Sequence, residues 1–95
     1  MTLISEIQPR QGKIELEAEI ISKDTPKEFE KFGNSGRVCT FTIKNDSGEI
    51  KLTLWNKDVD EYNVGDKIRI INGYCNEFQG EMQLTTGKFG KIEKL

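Results

Sequence analysis

Strict alternation of apolar and charged residues over residues 13–20 is the feature that most constrains this chain. Every second position is apolar, and the positions between carry lysine or glutamate. A period of two places successive side chains on opposite faces of an extended strand and does not fit a helix. The segment is predicted to be a half-buried strand. Its predicted inner residues are Ile14, Leu16, Ala18 and Ile20, and its outer ones are Lys13, Glu15, Glu17 and Glu19.

A hairpin is predicted in the middle of the chain. Residues 37–44 are rich in Val, Thr, Phe and Ile, and the turn residues of 45–48 precede a second alternating run at 49–55. β-branched and aromatic runs on either side of a short polar turn are typical of antiparallel pairs. The inner residues of the second strand are expected to be Ile50, Leu52 and Leu54.

Two further strands are predicted near the end of the chain. Residues 67–75 form the fourth, and Gly73 within it indicates a bulge that reverses side-chain parity before Tyr74. A turn over 76–80 leads to the fifth strand at 81–86. Met82 and Leu84 are expected to point inward, and residues 88–95 to trail as an extended or short final strand.

The remaining segments predict little regular structure. Single helical turns are expected at 3–8 and 57–63, and residues 23–36, with Pro26 and two glycines, are predicted to be a long loop. The two aromatics of this loop, Phe29 and Phe32, are expected to hold it against the sheet, with contact to a ligand as the alternative.

Together these elements predict an all-β fold. Five short strands, little helix, a long first loop and a compact last hairpin fit a five-stranded Greek-key OB-fold barrel, with an SH3-like barrel as the alternative. Ninety-five residues are enough for one core, so residues 1–95 are expected to form a single domain.

The charge balance argues against a duplex-binding protein. The formal net charge is −2 and the pI is about 5.2, whereas duplex binders carry a marked basic excess. Single-strand binding is less constrained, because each stacked base contributes about 1–3 kcal/mol and positive charge is needed only locally. The glutamates of residues 13–20 would repel phosphates, so the first strand is expected to lie outside any such groove.

No residue pattern predicts catalysis or a metal site. The chain has no histidine, and Cys39 and Cys75 are far apart without a C-x-x-C pair, so both are expected to be reduced core thiols. Unpaired carboxylates and the lack of a glycine-rich phosphate loop predict no enzyme activity, no cofactor and no small-molecule substrate. No segment is apolar for long enough to span a membrane, and a cytoplasmic, nucleoid-associated protein is expected.

Trp55 is the strongest candidate for a ligand contact. Alternation over 49–55 places Lys51, Thr53 and Trp55 on the outer face, where an indole ring offers a surface for base stacking and its neighbours offer donors for phosphates. Packing of the indole against residues 57–63 is an equally compatible interpretation.

Tyr74 and Phe78 bracket the predicted last turn. Phe78 has only polar residues and glycine as neighbours, which favours an exposed stacking role, whereas Tyr74 either stacks or completes the core at the bulge. The candidate phosphate contacts are Arg37, Lys51 and Lys88, with Lys57 and Arg69 as further flanking cations.

Five segments distributed along the chain carry the most specific pattern. They are Gly36-Arg37 opening a strand, residues 45–55 (NDSGEIKLTLW), residues 64–68 (VGDKI), Gly73-Tyr74 followed by residues 78–80 (FQG), and residues 83–87 (QLTTG). Together they resemble the single-OB-fold single-stranded DNA-binding proteins of archaea, with their relatives in replication protein A and the eukaryotic sensor-of-single-stranded-DNA complex. The resemblance covers nearly the whole chain.

The resemblance implies roles for individual residues. It implies that Trp55, Tyr74 and Phe78 stack bases and that Arg37 contacts the backbone or a base. Some relatives carry another aromatic where Thr85 stands, which implies that Thr85 lies in the binding surface and that affinity or site size is reduced here.

The resemblance also implies a partner and a setting. The expected partner is single-stranded DNA, in replication, recombination or repair, together with other OB subunits or replication and repair proteins. Many relatives have a flexible charged tail after the barrel, which this chain lacks, so either a minimal protein or one unit of a longer replication protein A chain is expected. An RNA-binding OB domain and an OB-fold protein-interaction module are the alternatives.

Overall fold

The computed structural model describes residues 2–78, 80–86 and 90–95. The chain forms strands with only two short helical segments among these residues. The elements in order are a 3₁₀ turn at Ile4–Glu6, β1 at Ile14–Lys23, β2 at Lys27–Lys31, β3 at Asn34–Asn45, β4 at Gly48–Trp55, α1 at Lys57–Glu61, β5 at Lys67–Phe78, β6 at Glu81–Thr85 and β7 at Lys91–Lys94.

The strands form one continuous sheet in the order β1-β3-β4-β6-β5-β7, with β2 added beside β3. Strand β5 also pairs with β1, so the pairings of β1, β3, β4, β6 and β5 run in a ring. β4 and β6 are parallel, and the other pairs are antiparallel. The expected all-β class with little helix is confirmed, but the count of five strands is wrong, because β2 and β7 raise it to seven.

The core fills the inside of this ring. The predicted inner residues of the first strand are all buried, which confirms the alternation that defines it. Apolar residues from β3, β4, β5 and β6 meet them, and Val59 joins them from α1. The fully buried large side chains include Phe41, Ile14, Leu16, Ile20, Ile43, Leu52, Leu54, Ile68, Ile70 and Leu84.

Residues 23–36 do not form the predicted loop. β2 pairs with the start of β3 in continuous register, and Phe32 and Gly33, both with positive φ, make the turn of a hairpin that we call the arm (β2 and residues 32–38). The prediction failed because every described side chain of β2 is exposed, so the strand has no apolar period to detect.

The two aromatics of the arm also differ from expectation. Phe32 is 91% exposed and therefore does not hold the arm against the sheet. Phe29 is 42% exposed and lies against Gly36 of the neighbouring strand rather than on the core.

The glycine bulge predicted in the fourth strand is present in β5. Ile14 pairs with Gly73 and Leu16 pairs with Ile70, so β5 contains one extra residue between these pairs. Ile70 and Cys75 are both buried, whereas Tyr74 points outward. The bulge therefore sets the outward direction of Tyr74. The turn after it begins later than predicted, because the strand continues to Phe78.

Helix α1 packs beside β4 and β3 and contributes one side chain to the core. Its Val59 is fully buried, and its last carbonyls are capped by Lys23, whose Nζ donates to Val59 O at 2.7 Å and Tyr62 O at 3.2 Å. A cation at a helix C-terminus is favourable because the exposed carbonyls carry partial negative charge.

Candidate functional site

Directly paired residues bring four outward side chains into one row across the sheet. Thr40 of β3 pairs with Thr53 of β4, Thr53 pairs with Thr85 of β6, and Thr85 pairs with Tyr74 of β5. Paired residues share a face of the sheet. Trp55 lies two residues farther along β4 on that same face. We call this outer surface of β3, β4, β6 and the second half of β5 the aromatic face.

Trp55 and Tyr74 line the same open cleft on the aromatic face. The cleft has a volume of about 730 Å³, and the two residues are 39% and 38% exposed. Half-buried rings are held in place by their packing while one part of the π-surface stays accessible, which is the arrangement that stacking requires. The structure therefore brings together two of the three predicted stacking residues.

The threonines form the floor of this face rather than its contact surface. Thr53 lies on the outer face as predicted, but Thr53 is only 8% exposed and Thr85 only 7%. β4 runs between β3 and β6, and Thr53 pairs with Thr40 on one side and with Thr85 on the other. Its Oγ1 donates to Gln83 Oε1 at 3.1 Å, which supplies the hydrogen bond that a buried hydroxyl needs.

Lys51 supplies positive charge on the same face of β4, two residues before Thr53 and on the side of it away from Trp55. It pairs with Thr42 and Gln83, and Gln83 pairs with Asn76. Lys51 Nζ donates to Thr42 Oγ1 at 2.9 Å, so the ammonium is oriented by a neutral partner. None of the paired residues in the Trp55, Thr53 and Lys51 rows is a carboxylate.

The structure does not bring Arg37 to the aromatic face. Val38 pairs with Trp55, so Arg37, one residue earlier, has the opposite parity. Its guanidinium forms an ion pair with Asp60 of α1. Arg37 therefore ties β3 to the helix on the side away from the cleft.

Two of the predicted contacts are only partly described or not described. Phe78 pairs through its backbone with Glu81 at the end of β5, and its side chain is not described. Lys88 lies outside the described residues.

Lys13 is a cleft residue that the sequence argument missed. The segment before β1 runs beside β5, with Arg10 N–H donating to Cys75 O at 2.9 Å and Cys75 N–H donating to Gln11 O at 2.8 Å. This pairing brings Gly12 and Lys13 to the cleft beside Tyr74. Because Lys13 has a positive φ, the strand begins at Ile14, one residue later than predicted, and no local pattern signals this.

The surface of β1, β5 and β7 has the opposite character. Glu17 pairs with Arg69, and Arg69 pairs with Glu93, so all three share one outer face with Glu15 and Glu19, which we call the acidic face. Arg69 Nε lies 3.7 Å from Glu17 Oε2 and 4.0 Å from Glu15 Oε2. Arg69 therefore balances carboxylates and does not flank the cleft.

The two buried cysteine thiols beneath the aromatic face have raised pKa values. Burial raises the pKa of the Cys75 thiol, a backbone hydrogen bond at Gln83 lowers it in part, and Glu77 raises it further. Burial likewise raises the pKa of Cys39, with Lys23 lowering it and Asp24 raising it. Both thiols are therefore held protonated at neutral pH.

Metal and membrane sites were sought over the same described residues. No group of three or more His, Cys, Asp or Glu side chains is placed to hold a metal ion within them. No helix there combines the length and the apolar character needed to cross a bilayer.

Comparison with known proteins gives a family match over most of the chain. The family model described as "OB-fold nucleic acid binding domain" matches residues 14–92. A replication factor A from Methanothermobacter thermautotrophicus is 26% identical over 90 residues, which are 94% of this chain and 11% of that protein.

Two further relatives are similar over nearly the whole chain. The single-stranded DNA binding protein Ssb from Saccharolobus solfataricus is 20% identical over 89 residues, which are 94% of this chain and 60% of that protein. A crystal structure of a domain of replication protein A from Methanococcus maripaludis is 28% identical with a TM-score of 0.79, covering 99% of this chain and 93% of that one. This chain thus spans less than two thirds of the length of both curated relatives.

Proposed function

The chain belongs to the family of OB-fold nucleic acid binding domains, and from this premise we propose that it binds single-stranded DNA with little sequence preference by base stacking. The observation that carries the proposal is the cleft that Trp55 and Tyr74 share on the aromatic face, where the paired rows of Trp55, Thr53 and Lys51 contain no carboxylate. Every base has a π-surface, so stacking is tolerant of sequence.

Each residue of the aromatic face has a distinct role in this proposal. Trp55 and Tyr74 stack bases, and Phe78 adds a third stacking ring at the end of the last hairpin. Lys51 and Lys13 contact phosphates from the two sides of the threonine floor. The floor itself, Thr53 and Thr85, sets the depth at which a base can lie.

The other predicted contacts are secondary in the proposal. Lys88 follows β6 in the chain and is a further candidate for a phosphate contact. Arg37 contributes only if a phosphate displaces the Asp60 carboxylate that now holds its guanidinium.

The choice of DNA and of its biological setting is supported by the relatives. One relative is a single-stranded DNA binding protein and another is a replication factor A. By analogy with these relatives, the proposed role is in replication, recombination or repair, with other OB subunits or replication proteins as partners. The chain matches only 11% of the replication factor A, so other parts of such an assembly would contribute to affinity.

Fluorescence titration with oligothymidine tests the proposal directly. Trp55 is the single tryptophan of the chain, so any change in tryptophan emission reports on the cleft alone. We expect saturable quenching, and an affinity that falls with salt by about 0.7 in log K per log salt for each phosphate contact. Absence of both quenching and salt-dependent binding would overturn the proposal.

RNA is the second candidate ligand, because the description of the matching family covers nucleic acid in general. A ribose-specific site contacts the 2′-OH, which acts as both donor and acceptor. Competition between DNA and RNA of equal sequence separates the two candidates. Stronger competition by RNA would transfer the proposal to RNA while leaving the aromatic face as the site.

A further inference from the structure

We propose that Phe29 on the arm is an additional base-stacking residue, which extends the strand-binding surface beyond Trp55 on the side away from Tyr74. This inference rests on the proposed function and adds to it a residue and a longer binding site. Neither alternation nor hydrophobic periodicity pointed to this residue, because the strand that carries it is exposed.

Strand register places Phe29 on the aromatic face. Phe29 pairs with Gly36, and two residues farther along β3 Val38 pairs with both Lys27 and Trp55. Pairing partners share a face, and residues two apart on a strand share it as well. The side chain of Phe29 therefore lies on the same side of the sheet as Trp55.

The three aromatics lie on one diagonal of the sheet. Tyr74 is two strands and two residues away from Trp55 in one direction, and Phe29 is two strands and two residues away in the opposite direction. From ordinary strand spacing and rise, each step corresponds to roughly 12 Å between Cα atoms. A single strand that follows this diagonal meets Trp55 in the middle and Phe29 at one end.

Gly36 provides the seat that holds the Phe29 ring. A Cβ atom at position 36 would lie 2.7 Å from Phe29 Cζ and 2.9 Å from Asn56 Oδ1, so only glycine leaves room for the ring there. With this seat occupied, Phe29 still has 42% of its surface exposed. The ring is therefore fixed from below and open from above, as Trp55 and Tyr74 are.

The seat is also joined to the main cleft. Asn56 directly follows Trp55, and its N–H donates to Arg37 O at 2.8 Å. Asn56 Oδ1 accepts from Arg37 N–H at 3.3 Å. These two hydrogen bonds fix the backbone after Trp55 to the backbone after Gly36, so the arm and the cleft are held as one surface.

The charged residues of β2 also favour a phosphate backbone on the aromatic face. Lys27 lies in the row of Trp55, on the aromatic face. Glu28 pairs with Arg37 and Glu30 pairs with Ser35, so both carboxylates alternate to the opposite face. A phosphate backbone passing over Phe29 therefore meets a lysine before it meets a carboxylate.

Affinity measured against oligothymidine length tests the inference. Lengths from about four to about sixteen nucleotides cover the range of site sizes found for single OB folds. We expect Phe29→Ala to leave the affinity for the shortest oligomers within about twofold and to lower it for the longest by about fivefold to a hundredfold. Adding nucleotides at the 5′ or the 3′ end separately should show the difference at one end only.

Conservative variants separate stacking from a role in holding the arm. Phe29→Tyr keeps an aromatic ring and should bind as wild type, whereas Phe29→Leu keeps apolar contact with Gly36 and should lose affinity like Phe29→Ala. Gly36→Ala, which displaces the ring, should show the same length-dependent loss with Phe29 still present. Phe32→Ala removes the other aromatic of the arm and should leave the affinity within about twofold.

The outcomes distinguish failure of the inference from failure of the proposed function. If wild type binds no oligothymidine, the proposed function fails. If wild type binds and Trp55→Ala weakens binding at every length, but Phe29→Ala binds all lengths as wild type does, the inference alone is overturned. Full binding by Phe29→Leu, or an equal loss in Phe32→Ala, would also overturn it.

Discussion

The aromatic face and the acidic face belong to the same ring of strands but differ in the charged residues that they carry. On the aromatic face the paired rows of Trp55, Thr53 and Lys51 contain no carboxylate, and their side-chain hydrogen bonds join neutral groups or the Lys51 ammonium to a hydroxyl. On the acidic face Arg69 lies among four glutamates within the described strands. The net charge of −2 is a sum over the whole chain, and it describes neither of these two surfaces.

The largest expected effect concerns the ring at the centre of the aromatic face. Trp55→Ala should lower the affinity for oligothymidine by about 1–3 kcal/mol, because a stacked base loses its partner. Anisotropy of a labelled oligomer measures it, since the variant has no tryptophan. The matched variant on the acidic face, Arg69→Ala, should change the affinity by less than about twofold. Equal losses would show that the two faces are not functionally distinct.

Reversing single charges should sharpen the comparison further. Lys51→Glu places a carboxylate in the lysine row and should weaken binding by about tenfold at low salt, through lost attraction and added repulsion. Glu17→Lys reverses a charge on the acidic face and should strengthen binding by no more than about twofold. Titrations at two salt concentrations provide the measurement. A larger gain from Glu17→Lys than loss from Lys51→Glu would reverse the assignment of the faces.

A smaller effect is expected at the floor of the aromatic face. Thr53→Val keeps the shape of the side chain but removes its hydrogen bond to Gln83, which should lower the free energy of unfolding by about 1 kcal/mol. Urea unfolding measures it, with the exposed acidic-face variant Glu15→Gln expected within about 0.5 kcal/mol of wild type. An unchanged midpoint for Thr53→Val would show that this hydrogen bond contributes nothing to stability.

The smallest effect at neutral pH concerns the core that both faces share. Burial raises the pKa of Cys39 and Cys75 in the folded protein, so the unfolded chain releases these protons first as the pH rises. Their contribution to stability is therefore fully present below the ordinary thiol pKa of 9.0 and is lost as the pH rises through and above that value. Urea unfolding across this range should show the decline, with a shallower slope in Cys75→Ala. A slope identical to wild type would contradict it.

Prediction from sequence was best where a strand has one buried face. The alternation of β1, the hairpin of β3 and β4, and the bulge before Tyr74 were all predicted and are present. It failed at β2, because a strand exposed on both sides carries no apolar period. The predicted strand count was wrong because it lacked β2 and did not include β7, which lies in the segment expected to be extended or a short final strand.

For the candidate site, the sequence predicted the orientation of individual side chains better than it predicted which residues lie beside them. Trp55 and Tyr74 were predicted as outward aromatics, and the fold places both in one cleft. Thr53 was predicted to lie on the outer face and does so, but in a strand that runs between two others it is only 8% exposed. Arg37 was grouped with them, although strand parity directs it to Asp60.

The sequence by itself determined which side chains face inward and which face outward on most strands, because side-chain direction alternates locally along an extended chain. Only the tertiary structure decided which outward residues meet. The order β3-β4-β6-β5 brings Trp55 and Tyr74 together across three strands, and the arm aligns Phe29 with them. Such neighbours are set by pairing and register between distant segments, which depend on how the whole core packs.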